Sequence, residues 1–308
     1  MRDPAPAQGA FEPFSLRPSP HEWQEAWIAR GELRDRRFEL PAGVSSVFFE
    51  RARLANVGFS GIRFAEFRVY DSVFDRCDFT GTAFDRLAMG DMCGEGPRDR
   101  AGWPRSVFRD CVFRRTRFPP FTFFGNVRFD RCVFDRSRLR GQTATLEAEF
   151  VDCVFLGRVR DINFWGRPAQ RDEAALGRDR NEFTGNDFTG AELQGVAFRH
   201  IDLHAQRFPG LPGYALLDRI GERARAVLPV VERWPDPRHR EEARFSLEFL
   251  AGMALKDNDD HALVSPRDMG RRLPPALREE LFEAFRRTSS DTSPGRAVRP
   301  RGPDPAAP

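Results

Sequence analysis

The residue type in this chain with the most chemical potential is cysteine. Four of the five cysteines sit in one repeated setting: FDRCDF (74–79), FRDCVF (108–113), FDRCVF (129–134) and FVDCVF (150–155). Cys77, Cys111, Cys132 and Cys153 each lie two residues before a phenylalanine, and the last three copies start 21 residues apart. Thiols at regular spacing suggest metal binding or disulfides. A zinc site needs ligands that converge on one point, however, whereas equivalent side chains on stacked strands point in parallel. A free cysteine also packs well as a small buried apolar group. These cysteines therefore read as core. Cys93 lies outside the pattern with no histidine near it in sequence, so nothing supports a reactive role.

His200 and His204 would align on a helix, but they occupy different places in a five-residue unit and are not expected to share a ligand. KDNDDHA (256–262) is acidic, yet it lacks the glycine at position six and the glutamate at position twelve of a calcium loop. It reads as a solvated turn between helices. No phosphate-binding loop, dinucleotide fingerprint, nucleophile elbow or zincin motif occurs. No catalytic, metal-ligating or cofactor-binding residue is assigned, and the chain is not expected to be an enzyme.

The elements that place the cysteines have a period of five. From Phe49, every fifth residue is apolar: Phe49, Leu54, Phe59, Phe64, Val69, Phe74, Phe79, Phe84 and Met89. At 40% hydrophobic content, chance gives such a run roughly 3 times in 10,000. The series resumes at Phe108, Phe113, Phe118 and Phe123, slips by one to Phe129, Phe134 and Leu139, and slips again to Phe150 and Phe155. It ends with Phe183, Phe188, Leu193, Phe198, Leu203 and Phe208. The residues two places before are mostly small or apolar, and positions two apart on an extended chain face the same way. Each unit thus turns one large and one small side chain inward. A chain that turns a corner every five residues closes a four-sided coil in about 20 residues and rises about 4.8 Å per coil. A 21-residue spacing is one coil plus one extra residue, a bulge.

The segment NDFTGAELQGVAFRHIDLHAQRF (186–208) resembles the pentapeptide-repeat family, with Ala191–Gly195 and Ile201–Ala205 fitting its loose A-(D/N)-L-x-x consensus. The resemblance covers about 47–89, 106–165 and 181–208. It implies an all-β solenoid: a right-handed quadrilateral β-helix with a Phe/Leu core. The expected core residues are Phe59, Phe64, Phe74, Phe79, Phe84, Phe108, Phe113, Phe129, Phe134, Phe150, Phe155, Phe188, Leu193, Phe198 and Leu203, with Cys111, Cys132 and Cys153 beneath them. Some family members imitate B-form DNA and bind type II topoisomerases, protecting them from fluoroquinolones. Members also pair through their C-terminal ends, which implies a homodimer here.

Around the coil (47–210), residues 1–46 are expected to form an unstructured arm, over the first fifteen residues, and then a capping helix. In SPHEWQEAWIARG (19–31), Ser19 reads as N-cap, Pro20 as N1, Glu22 as the closing residue of a capping box and Gly31 as the stop. Trp23 and Trp27 would cover the open end of the solenoid. Two interruptions, 90–105 and 166–180, are long enough to be candidate interaction loops, with Arg98, Arg100 and Trp103 in the first. Residues 211–288 show helical spacing in three stretches: Leu216 to Leu228, a second after Asp236-Pro237, and a third from Pro274-Pro275. The proline-rich tail 289–308 reads as disordered.

Net charge is +3, and the coil segments together carry 17 acidic and 19 basic residues. A DNA mimic needs dense negative charge, so mimicry is disfavoured. An arginine-rich middle alone specifies little about nucleic acid, and Arg–acid pairing between coils accounts for the charge more simply. No stretch is long enough to span a membrane, and the N-terminus lacks a secretory apolar core, so a cytoplasmic location is expected. The leading expectation is a non-catalytic scaffold that binds another macromolecule, a protein, through its faces and loops.

Overall fold

The computed structural model describes residues 13–19, 26–90, 104–120, 122, 124–137 and 143–288. The chain forms two compact units, one reaching Leu216 and including Asp257–Asp259, the other built from the remaining C-terminal residues.

The first unit is a β-solenoid. One long parallel ladder carries Leu33, Leu54, Phe74, Phe108, Phe129, Phe150 and Phe183 in register, level on level. A second column consists of Phe38, Phe59, Phe79, Phe113, Phe134, Phe155, Phe188 and Phe208. From Phe59 to Phe188 its rings stack at centroid separations of 4.5–5.0 Å with planes within 9°. These spacings match the rise of parallel strands, which is why the sequence repeats phenylalanine and not a mixture. An identical flat ring at every level stacks on the one below without a void. Phe64, Phe84 and Phe118 form a third column, and Phe164 stacks on Phe198 in a fourth. Phe59, Phe64, Phe74, Phe79, Phe84, Phe108, Phe113, Phe129, Phe134, Phe150, Phe155, Phe188, Leu193, Phe198 and Leu203 are all buried, as are Cys77, Cys111, Cys132 and Cys153.

Two features of the coil differ from the expectation. Phe124, one place beyond the five-residue series, is the next buried phenylalanine after Phe118 among the described residues. The extra residue of that coil therefore falls between Phe118 and Phe124, where Pro119-Pro120 makes the corner, and not after Phe123. Phe123 and Leu139 lie outside the described residues. Phe38, Phe67 and Phe164 are also buried, although none falls on the five-step series.

The capping helix is overturned where the chain is described. Ala26–Arg37 is a strand, β2, paired in parallel with β3 (Ser46–Gly58), and β1 (Ser15–Pro18) pairs antiparallel with β2. The solenoid therefore begins at residue 26, ahead of residue 47. Ala26, Ala29 and Leu33 turn inward and bury, and Gly31, expected to stop a helix, sits at a register shift with φ 87°. Capping signals are local and each contributes about 1 kcal/mol. A row of open backbone groups on β3 offers a whole ladder, and that non-local pairing wins. Ser15 belongs to β1, so the arm is ordered there; residues 1–12, together with Pro20, Glu22 and Trp23 of the expected helix, lie outside the described residues.

Both interruptions leave the ladder intact. Phe74 pairs with Phe108 across the first and Phe150 with Phe183 across the second. The second contains a short helix, α1 (Glu173–Leu176), ended by Gly177 in the left-handed region.

In the second unit are α2 (Ile220–Glu232), α3 (Pro237–Asp257) and α4 (Pro275–Arg287); α2 packs against α4, and Val227, Val231, Leu247, Leu281, Phe282 and Phe285 are buried. Leu216 and Leu217 lie in a strand, Ala215–Leu217, and the helix starts after them at Ile220. The acidic KDNDDHA stretch is not a solvated turn throughout. Asp257 is buried, pairs with Arg199 at 2.5 Å and accepts the His200 backbone N–H through its carbonyl, while Asn258 donates to the Phe198 carbonyl at 2.6 Å. Asp257 and Asn258 thus close hydrogen bonds of the coil at Phe198–Ile201.

Candidate functional site

The cysteines have a specific structural role. Cys77, Cys111, Cys132 and Cys153 place Sγ 3.2–3.8 Å from the carbonyl oxygens of Leu54, Phe74, Phe108 and Phe129, each in the coil below. The same column continues with amides: Asn186 donates to the Phe150 carbonyl and Gln206 to the Phe183 carbonyl, both at 2.9 Å. At the next corner, the Thr82 and Thr116 hydroxyls donate to Phe59 and Phe79 at 2.9 and 2.8 Å, and the Ser137 hydroxyl donates to Phe113. The small inward position is therefore a donor as well as a filler, and it ties each corner to the coil beneath. Burial pushes the Cys111, Cys132 and Cys153 thiols well above their usual pKa. A thiol held protonated is a poor nucleophile and a poor metal ligand. No cluster of three or more His, Cys, Asp or Glu that could hold a metal occurs among the described residues.

The outward faces are cross-linked by charge from coil to coil. Arg30 pairs with Glu50, Arg63 with Asp85, Arg86 with Glu66, Arg114 with Asp135, Arg131 with Asp110, Arg158 with Glu192 and Arg207 with Asp187. The Arg131–Asp110 pair is bidentate, at 2.8 and 2.9 Å, and this guanidinium holds the Asp110 carboxyl below its usual pKa. Apart from Arg86–Glu66, whose carboxylate is buried, these solvent-facing pairs individually contribute little stability. Together they leave the coil with no uninterrupted band of one sign along these ladders.

The distinctive centre lies where the two interruptions meet the coil. Both leave from a glycine at the end of a coil, Gly90 and Gly166. A Cβ on Gly90 would collide with the Asn126 carbonyl, and one on Gly166 with the His200 carbonyl, so the backbone of the next coil passes too close for any other residue. Both return beside Glu149, whose carboxylate is buried and meets three guanidiniums. Arg105 comes from the end of the first interruption, Arg128 (3.5 Å) from the coil below, and Arg178 (3.5 Å) from the end of the second. Arg128 also binds Glu182 at 2.5 Å. Arg178 donates to Asn126 Oδ1 (3.0 Å), Asn181 Oδ1 (3.2 Å) and the Glu147 carbonyl (2.6 Å). Asn126 in turn donates to the Pro104 carbonyl at 3.4 Å. One buried network therefore fixes the roots of both interruptions at one corner. Beside it, burial and then the nearby Asp172 carboxylate raise the Glu147 pKa.

Sequence spacing did not single out Glu149. The available signal was that Glu149 lies 21 residues after Arg128, one coil above it, and the two are paired in the ladder. Arg98, Arg100, Trp103 and Cys93 lie outside the described residues. His200 and His204 do not meet at a shared site: His200 stands 3.9 Å from Asp257 and against the Trp165 ring, whereas His204 sits in a 3-10 turn.

No protein-family model matches the chain, and no curated protein matches its sequence. Among solved structures, a trypsin-treated variant of QnrB1, a plasmid-mediated fluoroquinolone resistance protein, is similar at 15% identity over 59% of this chain and 78% of that one, with a TM-score of 0.22. The solenoid assignment rests on the ladders of this chain itself.

Proposed function

We propose that this chain is a non-catalytic repeat scaffold that binds another macromolecule, a protein, through its outward faces and the two interruptions. The observation that carries this reading is the Glu149 network. Three half-buried arginines from three separate segments converge on one buried carboxylate and hold the roots of two long excursions at one corner of an otherwise regular coil. Burying charges costs stability even when they are paired, and anchored loops on a rigid scaffold are where binding residues concentrate. A right-handed, four-sided coil, a cytoplasmic location and pairing of two copies through the C-terminal helices belong to the same proposal.

The coil-to-coil arginine–carboxylate pairs argue against a protein that imitates DNA or grips it. Each carboxylate next to a guanidinium loses long-range attraction for a cationic groove, and each paired arginine loses it for phosphate. Two experiments test this. Affinity capture from the native host should retain a protein partner with the full chain, and lose it when 90–105 and 166–180 are each replaced by a short link. Retention by both shortened forms would overturn the assignment to this corner. A gyrase supercoiling titration with and without fluoroquinolone should show neither inhibition nor protection at micromolar protein; protection that weakens as salt rises would put topoisomerase binding first.

A further inference from the structure

Phe48 faces away from the core. It lies between Val47 and Phe49, which are both fully buried, and neighbours on an extended strand point to opposite faces. In the parallel ladder Phe48 is level with Arg68, and Arg68 with Ala88, so these three form one outward row over three coils. The Arg68 guanidinium lies over the Phe48 ring, 5.3 Å from its centroid. At the third level the row offers only a methyl group. Leu87–Ala88 is also the last strand of this ladder among the described residues. A cleft of about 340 Å³ opens there, lined among others by Phe48, Arg68, Tyr70, Arg86, Leu87 and Ala88. Stacked strands lie about 4.8 Å apart, so the cleft has room for a third flat group above Arg68.

The charges of the cleft differ from the ordinary coil-to-coil pairs. The Glu66 side chain is 5% exposed, and its carboxylate meets two guanidiniums, Arg68 Nε at 2.6 Å and Arg86 Nη2 at 3.1 Å. The Arg86 side chain is 71% exposed. One buried carboxylate thus holds two arginines at the cleft, and two positive charges against one negative leave a net +1. Glu50, which also lines the cleft, is neutralised by Arg30. A guanidinium carries five N–H donors, more than a shared carboxylate uses, and its fork matches the two oxygens of another carboxylate. Its plane also stacks on aromatic faces.

We propose that this cleft binds a small aromatic carboxylate. The ring continues the Phe48–Arg68 stack at the level of Ala88, and the carboxylate takes the outer N–H groups of Arg86. Glu66 is a positioning residue that fixes the two guanidiniums and does not touch the ligand. The volume lies near the lower end of the range for small-molecule sites, which suits one or two fused rings. The single net positive charge matches a single carboxylate. This site goes beyond partner binding by the two interruptions and does not depend on it.

Isothermal titration of the full chain with 2-naphthoate tests the proposal, with 2-naphthamide as the neutral probe and cyclohexanecarboxylate as the probe without a flat ring. 2-Naphthoate should bind once per chain with a Kd of about 1 mM or tighter, and the other two at least about tenfold more weakly. Arg86→Gln should weaken 2-naphthoate at least about tenfold and leave 2-naphthamide unchanged. Its melting temperature should match wild type, because the side chain is exposed. Ala88→Phe, which supplies the third flat group, should abolish binding of 2-naphthoate. Arg114→Gln, which removes an arginine from an ordinary pair with Asp135, should bind as wild type does. No saturable heat at millimolar 2-naphthoate overturns the site. Binding that survives both Arg86→Gln and Ala88→Phe lies elsewhere on the chain and overturns it equally. Equal affinity for 2-naphthamide overturns the carboxylate, and equal affinity for cyclohexanecarboxylate overturns the stack.

Discussion

Replacing Glu149 by glutamine removes one charge and keeps the shape, which isolates what the buried carboxylate does. Its side chain is 4% exposed, and those of Arg128 and Arg178 are 16%. Removing one partner of a buried ion pair costs about 3–5 kcal/mol, because the other charge is left without compensation. Two features reduce this cost. Arg128 retains Glu182, and Arg178 retains Asn126, Asn181 and the Glu147 carbonyl. Glutamine also still offers one acceptor. The expected loss is therefore about 2–4 kcal/mol. Urea unfolding of the coil transition reads it directly, as a lower midpoint at unchanged slope. Asp85→Asn, which breaks an exposed pair with Arg63, is the control and should hardly move the midpoint. Buried charges are screened much less than exposed ones, so the Glu149→Gln loss should persist in high salt. A loss under about 1 kcal/mol, or one abolished by salt, would show that the network is an ordinary surface cluster and would remove the argument that it anchors the two interruptions.

Phe134→Ala should cost about 3–5 kcal/mol, since the ring is sandwiched between Phe113 at 4.9 Å and Phe155 at 5.0 Å; a loss under about 1 kcal/mol in chemical denaturation would remove it from the core. Cys132→Ala should cost about 1 kcal/mol or less, because a thiol is a weak donor and little volume is lost, and the four buried thiols should react with a thiol reagent only on unfolding. Bound metal lost in that variant would contradict the structural role. Glu147 has its folded pKa raised, first by burial and then by Asp172. Its contribution to stability is thus present at low pH and is lost as pH rises through the raised folded value. Glu147→Gln should therefore melt higher than wild type near pH 7 and lose that advantage near pH 4, where the wild-type carboxyl is protonated; equal melting temperatures at both would refute the assignment.

The core was legible because stacking rewards repetition. In a parallel ladder each side chain sits on its equivalent one coil below, so the Phe113–Phe134–Phe155 column is written in the sequence at the coil length. The misses lie where the chain leaves that length. Phe124 is displaced by the Pro119-Pro120 corner, and Phe164 follows Val159, which is itself four residues after Phe155 instead of five. Phe38 lies on a coil hidden by helix-capping signals between Ser19 and Gly31. Those signals report what 13 isolated residues prefer; they carry no information about an open strand edge at Ser46–Gly58.

The candidate site was legible only at its margins, for a related reason. Each interruption begins with a glycine, and at both Gly90 and Gly166 it is the adjacent coil, not the local turn, that forbids a side chain. Glu149 and its arginines are spread over residues 105 to 178 and meet because two interruptions of different sequence return to the ladder at the same side of the coil. Spacing along a chain predicts neighbours only while the coil length is constant. A long insertion resets the count, and the contacts at its roots follow from which corner it leaves. That is also why this corner is where a partner surface is to be sought: with a glycine at each exit and a half-buried arginine at each return, the two excursions have ends fixed relative to one another, as a shared binding surface requires.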